Sequence, residues 1–153
     1  MHHFQVEQGQ LFAEDIPVSE LAERFGTPLY IYSAATLRRH FQAFDSAFKS
    51  IPHLTCFSMK CNGNLSVLKL LKDMGAGADI VSGGELYRAL RAGMEPGKIV
   101  FSGVGKRPEE MAAALEVDIL MFNVESDQEL RVLSLVAQQS GRTARIKIGR
   151  AHV

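Results

Sequence analysis

The sequence carries no excess of either charge. Seventeen lysines and arginines face 17 aspartates and glutamates over 153 residues. A balanced chain gives no electrostatic reason to expect nucleic acid or an anionic membrane surface as a partner. No apolar run approaches the ~18 residues that a membrane-spanning helix needs. The opening MHHFQVEQGQLF lacks the cationic start and apolar core of a secretory signal. Cysteine is scarce. Cys56 and Cys61 are the only two, placed in one strand-like run and its exit loop, where a mutual disulfide is geometrically poor. Both read as reduced thiols of a cytoplasmic protein. No second Cys/His pair stands at zinc-ligand spacing, so no metal site is expected. His2 and His3 belong to an exposed terminus.

What is present is a repeat. After residue 53, short apolar runs alternate with amphipathic stretches. LTCFSMK (54–60), ADIVS (78–82), KIVFSG (98–103), ILMFNV (119–124) and ARIKI (144–148) read as strands. Between them, Leu65, Leu68 and Leu71 share one helical face, as do Leu86, Ala89 and Leu90, and Leu130, Leu133 and Val136. Gly75, Gly93 and Gly141 stand where these helices should end. Ser82-x-x-Glu85 and Ser126-x-x-Glu129 are capping boxes. Lys60, Val81, Ser102 and Asn123 follow one another at intervals of 21 residues, near strand ends. A strand, a turn, a helix and a return fill about that length.

The fold class expected is α/β with parallel strands and right-handed crossovers. Five βα-type strands make part of a (β/α)8 TIM-type barrel, which needs eight strands and typically ~250 residues. An open doubly wound sheet of five strands is the alternative, without the dinucleotide signature, because no G-x-G-x-x-G follows the first strand. Residues 54–147 are assigned to the incomplete barrel. Residues 1–53 form a helix–strand–helix lead-in: PVSELAERFG (17–26) as a helix, TPLYIY (27–32) as a strand, and a helix from the cap Ser33 to about Phe48.

Lys60 falls at the C-terminal end of the first barrel strand, where barrel active sites form. Alternation points Leu54, Cys56, Ser58 and Lys60 inward and Thr55, Phe57 and Met59 towards the helices. An amine there is costly to bury unless paired or used, and a deprotonated amine forms a Schiff base with a carbonyl. Asp79, one strand along, points inward as well and could pair with Lys60 or with a cationic intermediate. The plain alternatives are a strand-end lysine and a structural ion pair. GVGK (103–106) is not a P-loop, because Val100 stands where the required glycine should and Arg107 where Ser/Thr should. Pro108 instead opens the next helix. Gly83-Gly84 at a helix start could receive an anion, but the capping box explains it more cheaply.

FSMKCNGN, MGAGADIVSGGELYRAL, GKIVFSGVGK and GTPLYIY together resemble the fold-type III pyridoxal-phosphate decarboxylases, over about residues 4–146. GADIVSGGELYRAL followed by FSGVGK is most similar to the diaminopimelate branch. The resemblance implies that Lys60 carries pyridoxal 5′-phosphate as a Schiff base and that Asp79 is an acidic cofactor-binding residue. Glu85 also matches a family glutamate, but its place in a capping box favours a structural role. Asn64 reads as a helix cap and Asn62 is left open. The implied activity is decarboxylation of meso-diaminopimelate to L-lysine, by a cytoplasmic homodimer with active sites shared between subunits. An ornithine- or arginine-type decarboxylase, a non-catalytic pyridoxal-phosphate barrel protein and a Schiff-base aldolase are the alternatives. Phosphate-binding, ring-nitrogen and proton-donor residues are expected outside this chain, as is a β domain against which strand 27–32 packs.

One stretch departs from the family. The fifth strand should run into an Asn-Pro-containing segment, yet TARI is followed by KIGRAHV. IGRAHV back-translates to a sequence resembling a sequencing-adapter read. Residues 148–153 are therefore expected to be a non-native tail on a gene fragment that is inactive and poorly soluble alone.

Overall fold

The computed structural model describes residues 2–148. The chain divides into two compact units, Met1–His53 and Leu54–Val153. The expected non-native tail lies outside the described residues apart from Ile148.

The first unit opens with an antiparallel meander that the sequence pattern did not reveal: β1 (Phe4–Glu7), β2 (Gln10–Ala13) and β3 (Ile16–Pro17). Glu7 pairs with Gln10, so Gln8 and Gly9 make a two-residue hairpin with φ of 50° and 81°. That left-handed pair matches the twist of the strands it joins. α1 (Val18–Phe25) and α2 (Ala34–Ser46) follow. α1 stops at Gly26, as its sequence predicts. Ser33 caps α2, its Oγ accepting the Thr36 amide at 2.9 Å. Among the described residues, TPLYIY (27–32), expected as a strand against a domain outside this chain, belongs to no strand and pairs with none. Its β-branched and aromatic composition favours a pleated surface, but composition alone supplies no neighbouring edge. Tyr30 is 86% exposed.

The second unit is a regular βα array. β4 (Cys56–Ser58), α3 (Leu65–Asp73), β5 (Gly77–Ile80), α4 (Gly83–Arg91), β6 (Ile99–Phe101), α5 (Pro108–Glu116), β7 (Met121–Val124), α6 (Asp127–Gln139) and β8 (Ile146–Ile148) alternate along the chain. All strand pairs are parallel, in the order β4-β5-β6-β7-β8. A doubly wound sheet reverses its strand order at a switch point. Here every strand lies beside its successor, which is the order of a barrel wall, and the open-sheet alternative falls. The strands are shorter than their apolar runs. Pairing stops where the chain bends into each loop, whereas hydrophobicity continues into buried loop residues such as Ile119.

Alternation sorts the sheet into two faces. Ala78, Ile80, Ile99, Phe101, Phe122 and Val124 point into the core with Leu68, Leu86, Met111 and Leu133 from the helices. Phe101 and Phe122 stack with centroids 5.9 Å apart. The opposite face carries Ser58, Asp79, Ser102 and Asn123, none fully buried, and this face positions the candidate site.

Candidate active site

Lys60 lies just beyond β4 rather than within it. β4 ends at Ser58, and Met59–Cys61 form a single 3-10 turn. Met59, 1% exposed, packs in the core with Phe57 against it, on the helix side where alternation places it. Asn62 N–H donates to Met59 O at 3.1 Å and Cys61 Sγ to Ser58 O at 2.8 Å. Asn62 Oδ1 then accepts the Asn64 amide, and Asn64 Oδ1 accepts those of Ser66 and Val67. Asn64 is the α3 cap, as predicted, and Asn62 sets the turn before it. The result is a lysine on a hydrogen-bonded turn at the C-terminal end of the sheet. Its side chain is exposed and makes no hydrogen bond or ion pair among the described residues.

Asp79 sits directly across from Ser58 in the β4–β5 register. It does not pair with Lys60. Its Oδ2 accepts from Ser58 Oγ at 3.3 Å and its Oδ1 from Ser102 Oγ. Asn123 Nδ2 donates to Ser102 Oγ at 2.8 Å. Ser58, Asp79, Ser102 and Asn123 thus form one polar row across β4, β5, β7 and the end of β6. Sequence reading placed Ser102 and Asn123 at equivalent strand ends through the 21-residue interval but gave them no role. The interval was the available signal; that they bond to each other and to Asp79 depends on strand register.

The loops behind the row are fixed from within. The side chain of Lys106 is fully buried, and its ammonium donates to Gly103 O (2.6 Å), Asn123 O (2.7 Å) and Glu129 Oε1 (2.7 Å). The lysine of GVGK is therefore committed to the fold and free of any phosphate role. Glu85 accepts the Val81 amide at 2.8 Å while Ser82 Oγ accepts the Glu85 amide, which supports the structural reading of Glu85. The amide of Gly83, at the α4 start, donates to Glu110 Oε1 at 2.8 Å, so the anion at that helix end is the protein's own. Burial pushes the Cys56 thiol up, and the charge of Asp79 adds to this, keeping it protonated. No cluster of three or more His, Cys, Asp or Glu able to hold a metal occurs among the described residues, nor is any helix there long and apolar enough to cross a membrane. Grooves of about 330 Å³ beside α6 and about 470 Å³ between α5 and α6 include no residue of the row.

These features fit an aldehyde cofactor. The amine is reachable, an oriented carboxylate stands on the adjacent strand, and the Oδ1 of Asn123 is buried without a hydrogen-bond partner. A barrel wall with an available lysine at its C-terminal mouth is an arrangement that can hold a carbonyl group as a Schiff base. The family model described as pyridoxal-dependent decarboxylase, pyridoxal binding domain, matches residues 34–152, and the chain belongs to that family. Pyridoxal phosphate is the cofactor its domain implies. The diaminopimelate decarboxylase of Haemophilus influenzae is 53% identical over 148 residues, covering 97% of this chain and 36% of its relative. That of Aquifex aeolicus is 49% identical over 146 residues, covering 95% and 34%. The crystal structure of diaminopimelate decarboxylase from M. jannaschii superposes with a TM-score of 0.90 at 36% identity, over 94% of this chain and 35% of that one. The Helicobacter pylori enzyme, solved with L-lysine, gives 0.81 at 45% identity, over 84% and 33%. The chain spans about a third of the length of the curated relatives it matches.

Proposed function

We propose that this chain is the cofactor-carrying N-terminal part of a diaminopimelate decarboxylase, which converts meso-diaminopimelate to L-lysine and CO2. The observation that carries this reading is identity of 49–53% to several diaminopimelate decarboxylases across the whole lysine-bearing segment. A lysine/ornithine decarboxylase from Vibrio vulnificus, at 23% identity and a TM-score of 0.70, shares the fold alone.

In this reading Lys60 Nζ would hold the cofactor through its aldehyde. When bound, pyridoxal phosphate supplies an electron sink for the carbanion left by loss of carboxylate. Asp79 stabilises positive charge beside Lys60, and the hydroxyls of Ser58 and Ser102 hold its two oxygens in place. A carboxylate fixed before reaction needs no reorganisation as charge develops. Phosphate binding, ring-nitrogen pairing and proton donation fall to the remainder of the enzyme. Residues 27–32 gain strand partners from its β domain, and the whole acts as a cytoplasmic homodimer.

The test uses the complete product of the gene encoding this chain. Reduction with borohydride in the presence of pyridoxal phosphate, followed by peptide mass spectrometry, should place the label on Lys60. Lys60→Ala should lose both the label and the yellow colour. The wild type should release CO2 and lysine from meso-diaminopimelate. A yellow protein that acts only on ornithine or arginine would reassign the substrate. A protein that takes up no cofactor would sink the reading.

A further inference from the structure

The polar row on the open face of the sheet has a direction. An ionised carboxylate only accepts, so the hydroxyls of Ser58 and Ser102 both donate to Asp79. Ser102 Oγ is left with lone pairs, and Asn123 Nδ2 fills one of them at 2.8 Å. This fixes the orientation of the amide. Flipped, it would set Oδ1 against a hydroxyl whose proton is already committed to Asp79. Asn123 Oδ1 is therefore the free end of the row. It is the one buried side-chain oxygen or nitrogen without a hydrogen-bond partner among the described residues. Native proteins keep few such atoms, because a buried acceptor that finds no donor forfeits its hydration for nothing. The backbone of Asn123 is held as well, since its carbonyl accepts the buried Lys106 ammonium at 2.7 Å. Phe122 and Val124 on either side are locked in the core, at 1% and 4% exposure.

We propose that Asn123 is a ligand-contacting residue of the pyridoxal site, its Oδ1 accepting a hydrogen bond from an N–H or O–H donor of the cofactor or the amino-acid substrate on the open sheet face. The inference rests on the reading of Lys60 given above. The chemistry is selective. Oδ1 itself accepts and cannot donate, so this atom disfavours a carboxylate or phosphate oxygen. Neighbouring strands lie ~4.8 Å apart, so β7 stands ~14 Å from β4 along the sheet. Asn123 therefore meets a part of the ligand remote from the lysine.

The experiment compares Asn123→Ala and Asn123→Asp in the complete, cofactor-loaded gene product. The dissociation constant of pyridoxal phosphate is measured by equilibrium dialysis, KM for meso-diaminopimelate by lysine release, and Tm by calorimetry. Asp keeps an acceptor at this position but loses the donor to Ser102; Ala loses both. The proposal expects Asn123→Ala to raise the cofactor dissociation constant or KM by about 3–10-fold, the worth of one hydrogen bond. The first result assigns the donor to the cofactor, the second to the substrate. Asn123→Asp should stay within about twofold of wild type in the affected constant, although its Tm falls. If Ala and Asp are equally impaired, or both change Tm alone, the amide serves only Ser102 or a bound water, and the proposal fails. A wild type that takes up no pyridoxal phosphate overturns the reading of Lys60 and this inference together. A loaded wild type with two unaffected variants overturns the inference alone.

Discussion

The Cβ of an alanine at position 77 would press on the carbonyl oxygen of Lys98 and lie 2.8 Å from Cys56 Sγ. Gly77 is where strand β5 lets its neighbours close in, and the Lys98 carbonyl cannot retreat without disturbing the run into β6. Gly77→Ala should cost about 1–3 kcal/mol, the usual penalty of overpacking, read as a lower urea midpoint at unchanged slope. Adding Cys56→Ala should recover little, because the backbone oxygen stays. Two ionisable residues make a second prediction. His53 offers Nδ1 to Ile51 O at 3.0 Å and Nε2 to Asp45 Oδ1 at 3.1 Å. Both ring nitrogens face acceptors, so the Ile51 carbonyl first and the Asp45 carboxylate second raise the imidazole above its ordinary value. The stabilisation is complete below the unfolded-state value and is lost as pH rises through the folded one. Glu14 behaves oppositely. The Ala35 amide and the Ser33 hydroxyl hold its carboxyl below the usual value, so its contribution is present above the unfolded-state value and is lost as pH falls through the folded one. NMR titration should find His53 titrating high and Glu14 low. Asp45→Asn should lower the first and Ser33→Ala should raise the second; an unmoved midpoint in either would refute that pairing. Residues of this kind are legible unevenly. Lys60 and Asn64 announce themselves through local motifs. Ser102 and Asn123 do not, because their partners lie 21–23 residues away and meet them only through register.

Among the elements, the α5 entry loop and the α6 start depend on one buried ion pair. Lys106 and Glu129 meet at 2.7 Å with side chains 0% and 9% exposed, and two main-chain carbonyls complete the ammonium's shell. Removing one partner of such a pair strands the other charge, at a cost of about 3–5 kcal/mol. Lys106→Met should therefore destabilise the second unit by about that much, measured by guanidinium unfolding. Lys106→Met combined with Glu129→Gln should recover a large part, since no buried carboxylate remains alone. A double variant as unstable as the sum of the singles would show that the carbonyl contacts, and not the ion pair, hold the loops. The motif that carries this lysine, GVGK, reads as a loop and no more, because two of the three acceptors of Lys106 come from β7 and α6. Helix identity was far easier to read. The apolar stripes of α3, α4 and α6 and the caps Ser82 and Ser126 appear where periodicity and capping chemistry place them. Both capping glutamates nevertheless reach one residue further back than the box requires, Glu85 to the Val81 amide and Glu129 to that of Glu125. The meander β1–β3 escaped notice because its strands have two to four residues, too few for alternation to register.

At the scale of the molecule, the two units differ in how much they bury. In the first unit the buried residues among those described are Ala13 and Ser33, and neither α1 nor α2 has a buried residue. Phe25, Phe44 and Phe48 are 63%, 58% and 40% exposed. The second unit concentrates its apolar side chains in one cluster between sheet and helices. Opening free energy follows buried apolar contact, so amides of α1 and α2 should exchange with deuterium well before those of α3 to α6. Equal protection in both units would mean that the first is held by more than its own contacts. The same reasoning bears on association. β8 pairs with β7 along one edge only, and Ile146 and Ile148 are 42% and 65% exposed. An unpaired apolar edge is a template for another chain. The 153-residue chain by itself should release no CO2 from meso-diaminopimelate, and in sedimentation it should form concentration-dependent assemblies. Ile146→Lys places a charge on the exposed edge without entering the core, so it should shift the population towards monomer while leaving the helical signal unchanged. If the wild-type chain sediments as one monomeric species at every concentration, the edge is already protected. If Ile146→Lys changes nothing while assembly persists, association runs through the exposed aromatics of the first unit, and Phe25→Lys becomes the variant that should dissolve it.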